Sequence, residues 1–120
     1  MNRLKRTMTL SGILIRLSVT TIVLTSTIGR IQFQGHQETW YNLPMDNIVE
    51  KAQRNGIEGE YWEHPETGCK MYGPWIICAG AKDRYGEILE TSLGYGMILD
   101  TGDFVKKDPD AIDVATTWQK

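Results

Sequence analysis

The chain has 120 residues, of which 13 are Lys or Arg and 15 are Asp or Glu, a length that allows one domain. Residues 1–29 hold Arg3, Lys5, Arg6 and Arg16 and no acid, so all 15 acids fall in the remainder. An acidic body whose only adjacent bases are Lys106 and Lys107 excludes a nucleic-acid partner, which needs clustered cations facing phosphates.

In chain order, residues 1–29 have the layout of an export signal: a basic start "MNRLKR", the apolar run "LSVTTIVL" and the small residues "TSTIG". Cleavage is expected near Thr27 to Gly29, or else residues 8–29 stay as a membrane anchor. As a spanning helix the leader would hold Arg16 near mid-bilayer, at a cost of about 2.5–3.5 kcal/mol. A basic-apolar tail on a cytosolic protein is the alternative. Residues 30–44, "RIQFQGHQETWYNLP", are polar, show no clear period and read as a linker to a domain over 45–120. "MDNIVEKAQRNG" predicts a helix of about three turns. Asp46 is its expected N-cap, Ile48, Val49 and Ala52 share one face, and Asn55-Gly56 supplies the exit.

Beyond the helix the texture is short strands and turns. "GEYWEH" and "CKMY" flank the turn "PETG" as a hairpin, and "PWIICAG" is a buried strand opened by Pro74. "EILET" is a strand, "SLGYG" a glycine-rich connection to "MILD", and "DAIDVATTW" a last strand or strand-to-helix segment. So many short strands suit a small barrel, whose closure removes exposed edges. Trp62, Trp75, Trp118, Tyr72 and Ile76 are its expected core. Cys69 and Cys78 make a poor metal site. Cys78 sits in an apolar run, which favours buried, unpaired thiols over a bridge.

"YGMILDTGDF" ends a strand on Asp100-Thr101-Gly102. In a retroviral-type aspartic protease this triplet comes early and is followed by a flap hairpin and a second apolar-Gly motif. Only 18 residues follow Gly102, so there is no room for a flap. Tyr85-Gly86-Glu87-Ile88, Gly94-Tyr95-Gly96, Asp100-Thr101-Gly102 and Ile112-Asp113-Val114 occur in the order and near the gaps of the 3D (Asp-Asp-Asp) domain. Residues 70–118 thus resemble the double-psi β-barrel of membrane-bound lytic transglycosylase A and of small exported wall proteins of Gram-positive bacteria, phages and mobile elements. Asp103 stands where the family has a second Gly, and the family's third aspartate has no match.

The resemblance implies a mainly β fold: a small six-stranded double-psi β-barrel with one N-terminal helix. It implies an exported, cell-wall-associated protein acting without cofactor or metal on the glycan strands of peptidoglycan. The reaction is lytic, closing a 1,6-anhydro ring on the muramic acid. Asp113 matches the acid and base, Asp100 the carboxylate that orients it or holds its proton, and Trp62, Tyr95 and Thr101 are the expected sugar contacts. The alternative is a non-catalytic glycan-binding or structural accessory module of a phage or conjugative element. An aspartate before Thr-Gly is also a common turn residue bonding nearby backbone. Trp62 and Trp75 suit a core as well as a sugar, His64 reads as a solvated loop residue, and Glu58, Glu60 and Glu63 as a solvated acidic edge. Glu63 is the next carboxylate in line should Asp113 not serve.

Overall fold

The structure, a computed structural model, describes residues 22–120 and, from the leader, the backbone of a short hairpin. That hairpin pairs β1 (Thr7–Leu10) with β2 (Ile13–Arg16). Residues 1–6, 11–12 and 17–21 of the expected export signal lie outside the described residues. Among those described, no helix is long and apolar enough to cross a membrane.

The body comprises β3 (Arg30–Phe33), β4 (His36–Tyr41), α1 (Asp46–Arg54), β5 (Tyr61–Glu63), β6 (Lys70–Tyr72), β7 (Trp75–Ala79), β8 (Ile88–Thr91), β9 (Gly94–Asp100) and β10 (Ile112–Ala115). It is mainly β with one helix, as the sequence indicates. Eight strands rather than six share one mixed sheet, and its backbone ladder does not close into a cylinder. β7 is the hub. One edge runs parallel to β9 over Ile76–Ala79; the other is shared by β6 at Trp75 and Ile76 and by β10 at Cys78 and Ala79, both antiparallel. β10 in turn pairs parallel with β4.

Side chains alternate across these strands. Ile112 and Val114 of β10 face one side with Ile76, Cys78 and Ile98, where Leu24 and Ile31 complete an apolar core. The other side carries Tyr72, Ile77, Met97, Leu99 and Ala115, covered by Ala52 of α1 and by Met45 just before it. The helix stops where Gly56 takes φ 78° and the Ile57 amide caps the Ala52 carbonyl at 3.0 Å. Asp46 is the first helical residue rather than the N-cap; Met45 holds that position without a side-chain bond. The Asp46 charge still meets the positive end of the helix dipole.

Residues 30–41, read as part of a polar linker, are a hairpin of the sheet. Gln34 and Gly35 both have positive φ, 49° and 86°, the two-residue turn whose twist matches paired strands. Polarity misled because Glu38 of β4 is fully buried. Its carboxylate accepts the amide and hydroxyl of Ser92, in the β8–β9 turn, and lies 3.4 Å from His36 Nε2. Ser92 Oγ also accepts the Leu24 amide at 3.0 Å, and Gln34 Nε2 donates to Glu90 at 3.1 Å. Side chains thus span the gap that the backbone ladder leaves open. Leu24, upstream of the expected cleavage point, belongs to the core.

Of the expected core residues, Tyr72 and Ile76 are enclosed and Trp75 and Trp118 are partly buried, but Trp62 is 41% exposed. Cys69 and Cys78 are buried and unpaired, and burial pushes both thiols above the usual range. The second glycine of Gly94-Tyr95-Gly96 has a steric cause. A Cβ on Gly96 would stand 2.8 Å from the Ile76 carbonyl oxygen and 2.7 Å from Cys78 Sγ, so only glycine lets β9 lie this close to β7.

Candidate functional site

Four residues on four neighbouring strands form one row: Thr39 on β4, Asp113 on β10, Ala79 on β7 and Asp100 on β9 are successive register partners. Register partners present their side chains on a common face. Ala79 separates the two acids with the smallest side chain that has a Cβ, and a strand spacing of about 4.8 Å puts their Cα atoms roughly 10 Å apart.

Asp100 joins this row through a bulge. Cys78 pairs with Ile98 and Ala79 with Asp100, leaving Leu99 as the extra residue of β9. Strict alternation would turn Asp100 to the Ile98 side, into the core. The bulge re-aims it to the side that carries Asp113. Its backbone is pinned by the Gly80 amide at 3.0 Å. Its Oδ1 accepts the Thr101 amide at 2.8 Å and its Oδ2 the Tyr41 hydroxyl at 2.7 Å. Tyr41, two residues from Thr39 on β4, therefore reaches across to the far acid. Burial, and next the Asp100 charge, push the Tyr41 phenol well above its ordinary value, so it donates its proton and does not lose it.

Asp113 is placed differently. Ile112 and Val114 on either side of it are fully buried, and alternation sends Asp113 the opposite way, where it is half-buried. Thr39 Oγ1 donates to its Oδ1 at 2.9 Å, and among the described residues no side-chain donor reaches Oδ2. Burial raises the Asp113 carboxyl above the ordinary aspartate value. The Thr39 hydroxyl pulls it back, the Asp100 charge raises it further, and Lys120 lowers it. The row thus holds an anchored carboxylate and a second acid biased toward keeping its proton, the division of roles that acid–base chemistry uses.

Thr101 sits beside Asp100, exposed, and both line a small cleft of about 70 Å³ with Leu99, Tyr85, Lys51 and Lys82. Trp62 and Tyr95 are elsewhere. Trp62 pairs with Met71, which pairs with Ile76, and that row faces the core side of β7, opposite the aspartates. Tyr95 lies five residues up β9 from Asp100, about 16 Å along the strand. Glu63 is exposed on β5 and accepts the Tyr61 hydroxyl; Glu58 and Glu60 are likewise exposed, away from the row. Of the expected site residues, the fold brings together Asp100, Thr101 and Asp113. Thr39, Tyr41 and Ala79 are additions that sequence reasoning missed. The alternation of "HQETWY", with Thr39 and Tyr41 on one side, is the signal that carries the first two.

Among the described residues no three His, Cys, Asp or Glu side chains converge as a metal site. No family model, curated protein or solved structure matches this chain.

Proposed function

We propose that this is an exported, cell-wall-associated protein of the 3D type that cuts the glycan strand of peptidoglycan by lytic transglycosylation. The observation that carries the reading is the shared row of Asp100 and Asp113, with Asp113 half-buried and its proton favoured. Asp113 in its acid form protonates the glycosidic oxygen as the bond from the muramic C1 breaks. The carboxylate left behind takes the proton of the same sugar's 6-hydroxyl, which bonds to C1 and closes the 1,6-anhydro ring. Asp100, held by Tyr41 and Thr101, is the fixed negative charge that favours the protonated state of its neighbour. Two parallel pairings, β4 with β10 and β7 with β9, support a double-psi barrel whose last gap is bridged by Glu38 and Ser92.

A second reading, a wall-binding module without catalysis, draws on the cleft beside Asp100. Its room of about 70 Å³ is a fraction of a disaccharide, and among the described residues no second lobe faces it. Incubating the protein with purified sacculi separates the two. The enzyme reading expects anhydro-muropeptides that vanish with Asp113→Asn. Sedimentation with sacculi but no anhydro product leaves the module.

A further inference from the structure

The residues displaced from the aspartate row are not scattered. Tyr95 and His64 line one pocket of about 180 Å³, floored by Met71, Ile76 and Leu93. It lies on the side of β7 where Trp62 projects. At about 30 Å³ per water that is the room of roughly six waters, comparable to the bulk of one sugar ring. None of its lining residues is an acid, Lys or Arg.

His64 is built into this pocket as a fixed donor. Its Nδ1 accepts two backbone amides, Glu66 at 3.2 Å and Thr67 at 3.3 Å, which places the ring proton on Nε2. One face of the imidazole lies against Trp62, ring centroids 5.4 Å apart and planes tilted by 31°. Trp62 is itself held by its Nε1 bond to the Gly73 carbonyl at 2.7 Å. Among the described residues nothing accepts the Nε2 proton of His64. A donor held at one edge and one face loses little freedom on meeting a ligand. Tyr95, 58% exposed, lines the rim.

We propose that this pocket is a second binding site, separate from the aspartate row, and that it takes one neutral sugar ring. A pyranose has an apolar face for Tyr95 and the Met71–Ile76 floor and a hydroxyl edge for His64 Nε2–H and Thr67. The uncharged lining disfavours phosphate and charged peptides. The site does not depend on the aspartates being catalytic. In a wall-acting protein it holds the glycan strand away from the point of cleavage.

Titration of the full-length protein with tri-N-acetylchitotriose, read by amide NMR shifts, tests the proposal. Shifts are expected at His64, Thr67, Gly94 and Tyr95. Tyr95→Ala should weaken binding by about tenfold, the scale of a lost aromatic contact, whereas Tyr95→Phe and Asp113→Asn should leave it unchanged. Because Tyr95 is a surface residue, unaltered amide dispersion elsewhere certifies that the Ala variant is folded. Binding lost with Asp113→Asn, shifts confined to Asp100 and Asp113, or no shifts at millimolar sugar would overturn it. So would N-acetyl-leucine amide binding as tightly in the same pocket, since that outcome assigns the site to a peptide.

Discussion

Glu38 and Asp113 are one register step apart on neighbouring strands, yet they face opposite sides of the sheet and meet opposite fates. Glu38 pairs with Ile112, points into the core, and has its oxygens taken by the Ser92 amide and hydroxyl. Asp113 pairs with Thr39, points to the other side where it is half-buried, and keeps an oxygen without a side-chain donor among the described residues. A buried carboxylate saturated by donors holds two segments together. A half-buried one with an open oxygen can exchange a proton with something that arrives. Donor count, more than burial, separates the structural acid from the reactive one.

The largest effect expected from breaking that contrast is Glu38→Ala. It removes the acceptor of the Ser92 amide, leaves a cavity under the β8–β9 turn, and should cost about 2–4 kcal/mol in urea unfolding. Glu38→Gln, which keeps an acceptor, should cost less. Next comes the segment that seals the same clasp. A chain beginning at Arg30 loses the buried Leu24 and its bond to Ser92, and should be less stable by about 2–3 kcal/mol than a chain beginning at Ile22. Equal thermal midpoints for the two chains would remove Leu24 from the account.

Gly96→Ala probes the other side of the hub. Its Cβ meets the Ile76 carbonyl, and the overpacking should cost about 1–3 kcal/mol while pushing β9, and Asp100 with it, away from the row. The smallest effect belongs to Asp113→Asn. Because the Asp113 carboxyl is raised in the fold, its contribution to stability is present below the unfolded value of about 3.9 and is lost as pH rises through the folded one. The Asn variant should therefore be slightly more stable than the parent at pH 7 and indistinguishable from it at pH 3. A loss of stability at pH 7 would make Asp113 a second Glu38.

Much of this was legible residue by residue. Asp100 stands out at the end of an apolar strand, and Asp113 within the motif Ile112-Asp113-Val114. The helix was marked by its apolar face and by Asn55-Gly56. What sequence reading could not supply was pairing over distance. Thr39 and Asp113 are 74 positions apart, and their contact exists only because β4 and β10 run parallel. The hairpin of β3 and β4 hid behind polar residues, one of them the buried Glu38, and behind a Gln-Gly turn less marked than Asn-Gly. The bulge at Leu99 decides which face Asp100 takes, and nothing local announces it. A large aromatic such as Trp62 suits a sugar contact, but the register of β5, β6 and β7 carries it to the side away from the aspartates.

The central claim is that Asp113 shares one electrostatic environment with Asp100 and keeps its proton more readily than an ordinary aspartate. Following the Asp113 side-chain carboxyl by carbon NMR as a function of pH, in the parent and in Asp100→Asn and Thr39→Val, measures this directly. The account predicts a midpoint above about 3.9 in the parent, lower in Asp100→Asn where the neighbouring charge is gone, and higher in Thr39→Val where the bond favouring the anion is gone. A parent midpoint at or below that of a free aspartate, unmoved by Asp100→Asn, would contradict it.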